Sequence, residues 1–549
     1  MASINAYTAA LSRAETAHML KRVTFGPTKS QIDQYTGSTA QQILDTVIPS
    51  VAPTALTPPT DPETGTAWQT PDGDGDPGLN IDTLKGWWLH QMRISGLSIV
   101  EKMTFFLHTH FTTISSVVES GTALYYQNAL FRHYALGNFK ELSKKICLDN
   151  AMLIFLNGNE NEVGLPQENF GREFLELYTI GKGNQVGPGD YTNYTEQDVQ
   201  AAAKVLSGYK NDRSFSTLDP DTNIPTGGLK LNGAIANRHD ATSKTFSARF
   251  QNTVITPNDV INGQATEAAA LDELDQLVEL IFSQEETAKH IARKLYRFFV
   301  FYEITDEIEQ DIIVPLANTI RTNDFELIPA LQQLLQCEHF FDRDNGVVVD
   351  DVQGALIKPP IDLTLGVMRF FEVEFPDEAT SATEFYETTY GGVLSYLFDQ
   401  GLDLLEPFEV AGYAAYHQYP EFNRNWISAN YLGRRYQFID LLINGVNKSG
   451  DPLNIVLDPL LWVENTANIA TPQDASEIVQ AFVDYLLPEI ITQERFDYFL
   501  DFVLLDELSP VNWTNEWNDY ETSGDDAAVR SQLNNLCNAM MQAPEFQLF

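Results

Sequence analysis

Three clusters of residues have the types and spacing for chemistry. The first is the stretch TFFLHTHFTT, in which His108 and His110 are separated by one residue within an aromatic, apolar run. Paired imidazoles are common ligands of zinc, iron and copper. In a regular helix the two rings point roughly 200° apart, whereas in an extended segment they share a face. The competing reading is two hydrogen-bonded core histidines. The second cluster is LPQENFGREFLELYTIGKG. There Asn169, Glu173 and Glu176 stand at i, i+4 and i+7 and share a helix face, and Glu168 and Arg172 are spaced to pair. An inward pair of glutamates can hold a cation or move a proton. Alternatively, such carboxylates lock helices together through ion pairs. The third is NRHDATSKTF, which places Arg238, His239, Asp240 and Lys244 in one polar loop. His239 beside Asp240 is a candidate third imidazole with a carboxylate partner. The rival is a turn closed by an Asx hydrogen bond.

The elements that must position these residues are mostly helical. Apolar residues recur at three- and four-residue spacing in RAETAHMLKRV and in successive segments from Ile81 to Gly208. The pattern returns from TEAAALDELDQLVELIFS to IKPPIDLTLGVMRFFEV and in the C-terminal segments. A serine-capped helix is expected at SQIDQYTG. Six regions follow: N-terminal helices at 1–50, a Pro/Asp/Gly-rich linker at 51–80 and a helical core carrying the His and Glu clusters at 81–209. Then come a loop-rich polar insertion at 210–262, a continuation of the core at 263–375 and a C-terminal helical region at 376–549. KTFSARF and NTVIT, inside the insertion, suggest one β-hairpin. The expected class is a large, mainly α globular protein with no repeat of fixed period.

Composition excludes several functions. The chain has 549 residues, with 34 Lys+Arg against 76 Asp+Glu, a net charge of −42. Such acidity opposes binding to nucleic acid or to an anionic membrane surface. It suits a heavily solvated surface, with a basic partner or a divalent cation as the functional alternative. Asp72, Asp74 and Asp76 have calcium-loop spacing, but Pro77 and Thr83 stand where an EF-hand needs Gly and Glu. Cys147, Cys337 and Cys537 form no CxxC pair and read as buried small hydrophobes. The sequence MASINAYTAALSRAE has no basic region followed by an apolar one, so no secretory signal is read, and a cytoplasmic compartment is expected unless a leader was removed. No apolar run is long enough for a membrane span. GxSxG, P-loop, HExxH and dinucleotide motifs are absent.

Together the clusters resemble a bacterial family, the domain of unknown function 1800. AHMLKRVTFG at Ala17–Gly26, KMTFFLHTHF at Lys102–Phe111 and QENFGREFLELYTIG at Gln167–Gly181 are similar to its AHLLRRAGFG, KLTLFWHNHF and NENYARELMELFTLG blocks. YTEQDVQAAAKVLSG at Tyr194–Gly208, the His239–Thr245 segment, IKPPID at 357–362 and PFEVAGY…NW at Pro407–Trp426 follow in order. The resemblance implies a mainly helical fold. It also implies a protein partner from the alkaline phosphatase and sulfatase group, which is exported and would give a cell-envelope role. Two function classes remain. In one, a metal-dependent oxidoreductase or hydrolase holds zinc or iron with His108, His110, His239 and Glu173. Glu173 would be ligand or general base, Glu176 and Asp240 the further carboxylates, and Arg172 or Lys244 would stabilise an anionic substrate; metal-free acid–base catalysis by the same groups is a variant. In the other, the same polar groups form a buried network in a non-catalytic scaffold or binding protein whose acidic surface engages a partner.

Overall fold

The computed structural model describes residues 2–50, 53, 56–65, 68, 77–344 and 352–549, with the side chains of 77–79 left aside. The acidic triplet Asp72, Asp74 and Asp76 lies outside these residues. The chain folds as a predominantly helical protein. Among the described residues, β-structure is confined to four two-stranded antiparallel pairings and isolated bridges. No helix of the described residues is long and apolar enough to cross a membrane.

The N-terminal helices show how local sequence starts each element. Helices Arg13–Val23, Lys29–Tyr35 and Ala40–Val47 all open with reciprocal capping boxes, Ser12 with Glu15, Thr28 with Gln31 and Thr39 with Gln42. Each cap satisfies backbone N–H groups that the helix leaves orphaned and is worth about 1 kcal/mol. The second cap is therefore Thr28, not the serine expected at Ser30. Ile43, Leu44 and Val47 then share a buried face of the third helix.

The stretch expected as a linker is partly structured. Trp68 is buried and meets Tyr125 edge-on at 6.1 Å, and a helix runs over Pro77–Ile94. The polar insertion holds more pairing than the single hairpin expected. Lys244 pairs with Ile255 and Thr245 with Val254, joining KTFSARF to NTVIT. Further pairings join Tyr209–Lys210 to Gly228–Leu229 and Val260–Ile261 to Gln264–Ala265. All three cysteines are free and buried, as their isolation in sequence suggested.

All of the residues of helix Val100–His110 are buried. Charged residues on such a helix need partners. Glu101 takes Arg132 from helix Gly121–His133, with Nε and Nη2 at 2.7 and 2.9 Å, and also accepts from Trp88 Nε1 at 3.2 Å. Lys102 donates to Asp362 of helix Pro360–Phe370. These pairs fix the rotation of the helix and hence where its two histidines point.

Candidate functional site

The two histidines of helix Val100–His110 face different surroundings. His108 is 1% exposed, meets the Trp88 ring edge-on at 5.3 Å, and has Nε2 at 3.5 Å from Tyr413 Oη. His110 donates from Nε2 to the Tyr178 carbonyl at 2.9 Å and packs against Phe111, Phe139 and His290. Burial pushes both imidazoles down to about 3, for His110 with added repulsion from Lys294, so both are neutral at physiological pH.

The glutamate cluster sits where an α-helix changes pitch. Asn169–Glu173 is α-helical and Phe174–Tyr178 continues as a π-helical turn. Phe170, Phe174, Leu175 and Tyr178 are buried, and Thr179 Oγ1 donates to the Phe174 carbonyl at 2.5 Å. π-turns of this kind occur frequently at functional sites. Gly171 permits close approach to helix Glu196–Val205, since a Cβ there would lie 2.9 Å from the Ala203 backbone nitrogen. That contact delivers Glu196 to Arg172, which donates through Nη2 and Nη1 at 2.5 and 3.1 Å. Glu168, the partner suggested by spacing, is further away at 3.6 Å.

Within this cluster the two glutamates differ. Glu176 accepts from Tyr194 Oη at 2.6 Å and Lys182 Nζ at 2.7 Å. Lys182 also lies over the Tyr191 ring at 4.8 Å. Glu173 is half-buried, and among the described residues its carboxyl has no hydrogen bond or ion pair. Burial, then the neighbouring Glu176 charge, raise its pKa to about 7, against partial relief from Arg172 and Lys182. The peptide carbonyls of the π-turn serve two histidines: Tyr178 accepts from His110, and Leu177 accepts from His290 Nε2 at 3.1 Å. Lys294 adds a cation whose pKa burial lowers to about 8. The first two clusters therefore adjoin through backbone, not through converging side chains.

The third cluster is a separate, sealed unit. His239 Nδ1 donates to the Ser207 carbonyl at 2.9 Å, and Nε2 lies 2.5 Å from Glu273 Oε2. Lys244 Nζ donates to both Glu273 oxygens at 2.8 and 2.6 Å. The side chains of His239, Lys244 and Glu273 are all 0% exposed. Asp240 does not partner His239; its carboxylate accepts from Thr242 N–H and Oγ1, closing a turn. Both nitrogens of His239 face oxygen atoms inside the protein, at Ser207 and Glu273.

The expected His108, His110, His239 and Glu173 metal centre is thus not assembled. Among the described residues no three His, Cys, Asp or Glu side chains converge in a way that could hold a metal ion. Arg172 and Lys244, the two cations expected to stabilise an anionic substrate, are ion-paired here, Arg172 with Glu196 and Lys244 with Glu273. Sequence reasoning missed Tyr194, Lys182, Glu196, His290, Lys294 and Glu273. Glu273 alone left a clear signal. It interrupts the buried stripe Ala269, Ala270, Leu274, Leu277 and Val278 of helix Glu267–Phe282, and a carboxylate there requires a buried cation.

No curated protein and no solved structure matches the chain. A family model described as "Protein of unknown function (DUF1800)" matches residues 18–548. That match begins in the first helix and runs nearly to the last residue, and the chain belongs to the DUF1800 family.

Proposed function

We propose that the protein is an acid–base enzyme whose proton carrier is Glu173 and whose reaction needs no metal at the His/Glu clusters. The observation that carries this reading is the unpartnered, half-buried carboxyl of Glu173 at the start of a π-turn, beside a Glu176 fully engaged by Tyr194 and Lys182. Of two nearby carboxyls in unlike environments, the unpartnered and less solvated one is the one able to exchange a proton near neutral pH. A carboxyl with pKa near the working pH is the efficient general acid or base.

The surroundings narrow the substrate. Glu168, Glu173, Glu176 and Glu196 stand against Arg172 and Lys182, and both cations are committed to carboxylates. This favours a neutral or cationic polar substrate over an anionic one. Tyr191 and Tyr194, with ring centroids 5.3 Å apart, provide aromatic surface beside Glu176.

The sealed His239–Glu273–Lys244 unit supports a second role for the other polar clusters, as structural networks. The two readings apply to different regions of one molecule. The test is turnover across a panel of neutral and cationic esters, amides and glycosides with the native full chain and Glu173→Gln. Activity should fall about 10²–10⁴-fold in the variant with the fold intact. Equal activity in the two proteins would remove Glu173 from the mechanism.

A further inference from the structure

One groove of the molecule combines exposed aromatic rings with paired charges. Helix Pro77–Ile94 forms one wall and supplies Lys85. Gly86 lets that helix approach the segment opposite, since a Cβ there would lie 3.1 Å from Tyr386 Cδ1. The opposite segment is a π-helical stretch over Thr388–Leu394, continued by a helix over Ser395–Asp399. Tyr396 donates from Oη to the Val446 carbonyl at 2.6 Å and so ties in the turn that carries Lys448. Lys85, Tyr390, Gly391, Phe398, Asp403 and Lys448 line the groove, whose volume is about 450 Å³. Small-molecule sites span about 300–1,000 Å³, so there is room for a ligand here.

Two features of the lining are not explained by the fold itself. Tyr390 and Phe398 are 49% and 55% exposed, and both line the groove. Exposed large rings brought together on one concave surface are informative in a way that scattered ones are not. Gly391 has no positive φ, and among the described residues no atom lies within 4 Å of where its Cβ would stand. Its neighbour Gly392, by contrast, is required by packing, since a Cβ there would lie 3.1 Å from Leu453 Cδ1. Glycine inside a helix is unfavourable relative to alanine, and close approach of a ligand to the backbone is one use that offsets it.

The charges at the groove are already matched. Lys85 Nζ donates to Asp403 Oδ1 at 2.7 Å and Lys448 Nζ to Asp399 Oδ1 at 3.3 Å, while the Tyr390 hydroxyl is hydrogen-bonded to Asp82. A neutral ligand leaves these pairs intact, whereas an ionic one competes with them. An ammonium carries three donors and a carboxylate two acceptor oxygens, so the Lys85–Asp403 pair keeps capacity for groups that both donate and accept, as hydroxyls do. The C–H faces of a sugar ring present weakly positive hydrogens to the negative face of an aromatic ring.

We infer that this groove binds a neutral carbohydrate. The sugar stacks on Tyr390 and Phe398, its hydroxyls bridge the Lys85–Asp403 pair, and Gly391 gives it close access to the backbone. None of these residues belongs to the Glu173 cluster, so the inference stands apart from the acid–base reading.

The test is saturation-transfer NMR on the native full chain with maltotriose, cellotriose and triacetylchitotriose at millimolar concentration. Benzoate and benzamidine serve as charged aromatic comparisons. Transfer to at least one trisaccharide is expected, and Glu173→Gln should leave it unchanged. Gly391→Leu puts a side chain into the groove where the chain leaves open space, so transfer should be lost while Tm is kept or raised. Phe398→Ala should weaken sugar binding about tenfold, as expected for losing roughly 60 Å² of apolar contact. If Gly391→Leu does not fold, Phe398→Ala, whose ring is mostly exposed, decides. No transfer to any of the three sugars would overturn the inference, as would transfer undiminished in both variants. Transfer to benzoate or benzamidine alone would overturn it in favour of a charged ligand.

Discussion

The Glu173 cluster and the His239–Glu273–Lys244 unit draw on the same side-chain chemistry and satisfy it to different degrees. In the sealed unit both ring nitrogens of the histidine, both carboxylate oxygens and the ammonium face partners inside the protein. In the Glu173 cluster three of the four glutamates are engaged, and the fourth, half-buried, is not. The lesson is that residue type and burial alone do not distinguish the two regions. Partner saturation does, because an unsatisfied carboxyl at low solvation has its pKa raised.

The largest expected effect lies in the sealed unit. Glu273→Ala leaves Lys244 and His239 buried without their carboxylate and should cost about 3–5 kcal/mol in denaturant unfolding. Activity per folded molecule should be unchanged. A loss below about 1 kcal/mol would break the contrast, because it would mean that the unit is not what holds this region.

Glu173→Gln should do the reverse. The Glu173 carboxyl titrates near 7 folded and near 4.5 unfolded, so between these values the native state holds the extra proton. Stability conferred by the neutral form is therefore lost as pH rises from about 4.5 through 7. The amide variant escapes this and should be more stable than the native protein by about 1–2 kcal/mol at pH 8, allowing for partial solvent screening, with little difference at pH 4. Comparing chemical denaturation of the two proteins at both pH values measures it.

Smaller effects sharpen the boundary between the regions. His110→Leu removes the donor to the Tyr178 carbonyl and should cost about 1–2 kcal/mol by leaving that carbonyl unpaired. It should also perturb the π-turn, visible as a change in the Glu173 titration. Arg172→Ala disrupts a partly exposed pair with Glu196 and should cost about 0.2–1 kcal/mol, less at high salt. A salt-independent loss larger than that would place Arg172 among the buried structural pairs.

Much of the helical architecture was legible because period-3.6 apolar patterning follows directly from burial on one side. The hairpin joining Lys244–Thr245 to Val254–Ile255 was legible from short apolar runs in a polar region. The π-turn at Phe174–Tyr178 was not, since one extra residue in a turn leaves no periodic trace. Candidate site residues were found where they cluster in sequence and missed where they meet across it. Glu176 and Tyr194 are 18 residues apart, His239 and Glu273 are 34, and His110 and the Tyr178 carbonyl are 68. Placing Asp240 beside His239 was a neighbour argument, and the fold replaced that neighbour with a carboxylate from another helix.

The central claim is that Glu173 carries an exchangeable proton near neutral pH while Glu176 remains committed to Tyr194 and Lys182. Carbon-13 NMR of glutamate-labelled full chain, titrated from pH 4 to 9 beside Glu173→Gln, tests it most directly. The account predicts one carboxyl resonance with a midpoint near 7 that is missing in the variant. A Glu173 resonance titrating in the ordinary carboxylate range, with all glutamates ionised by pH 6, would contradict it.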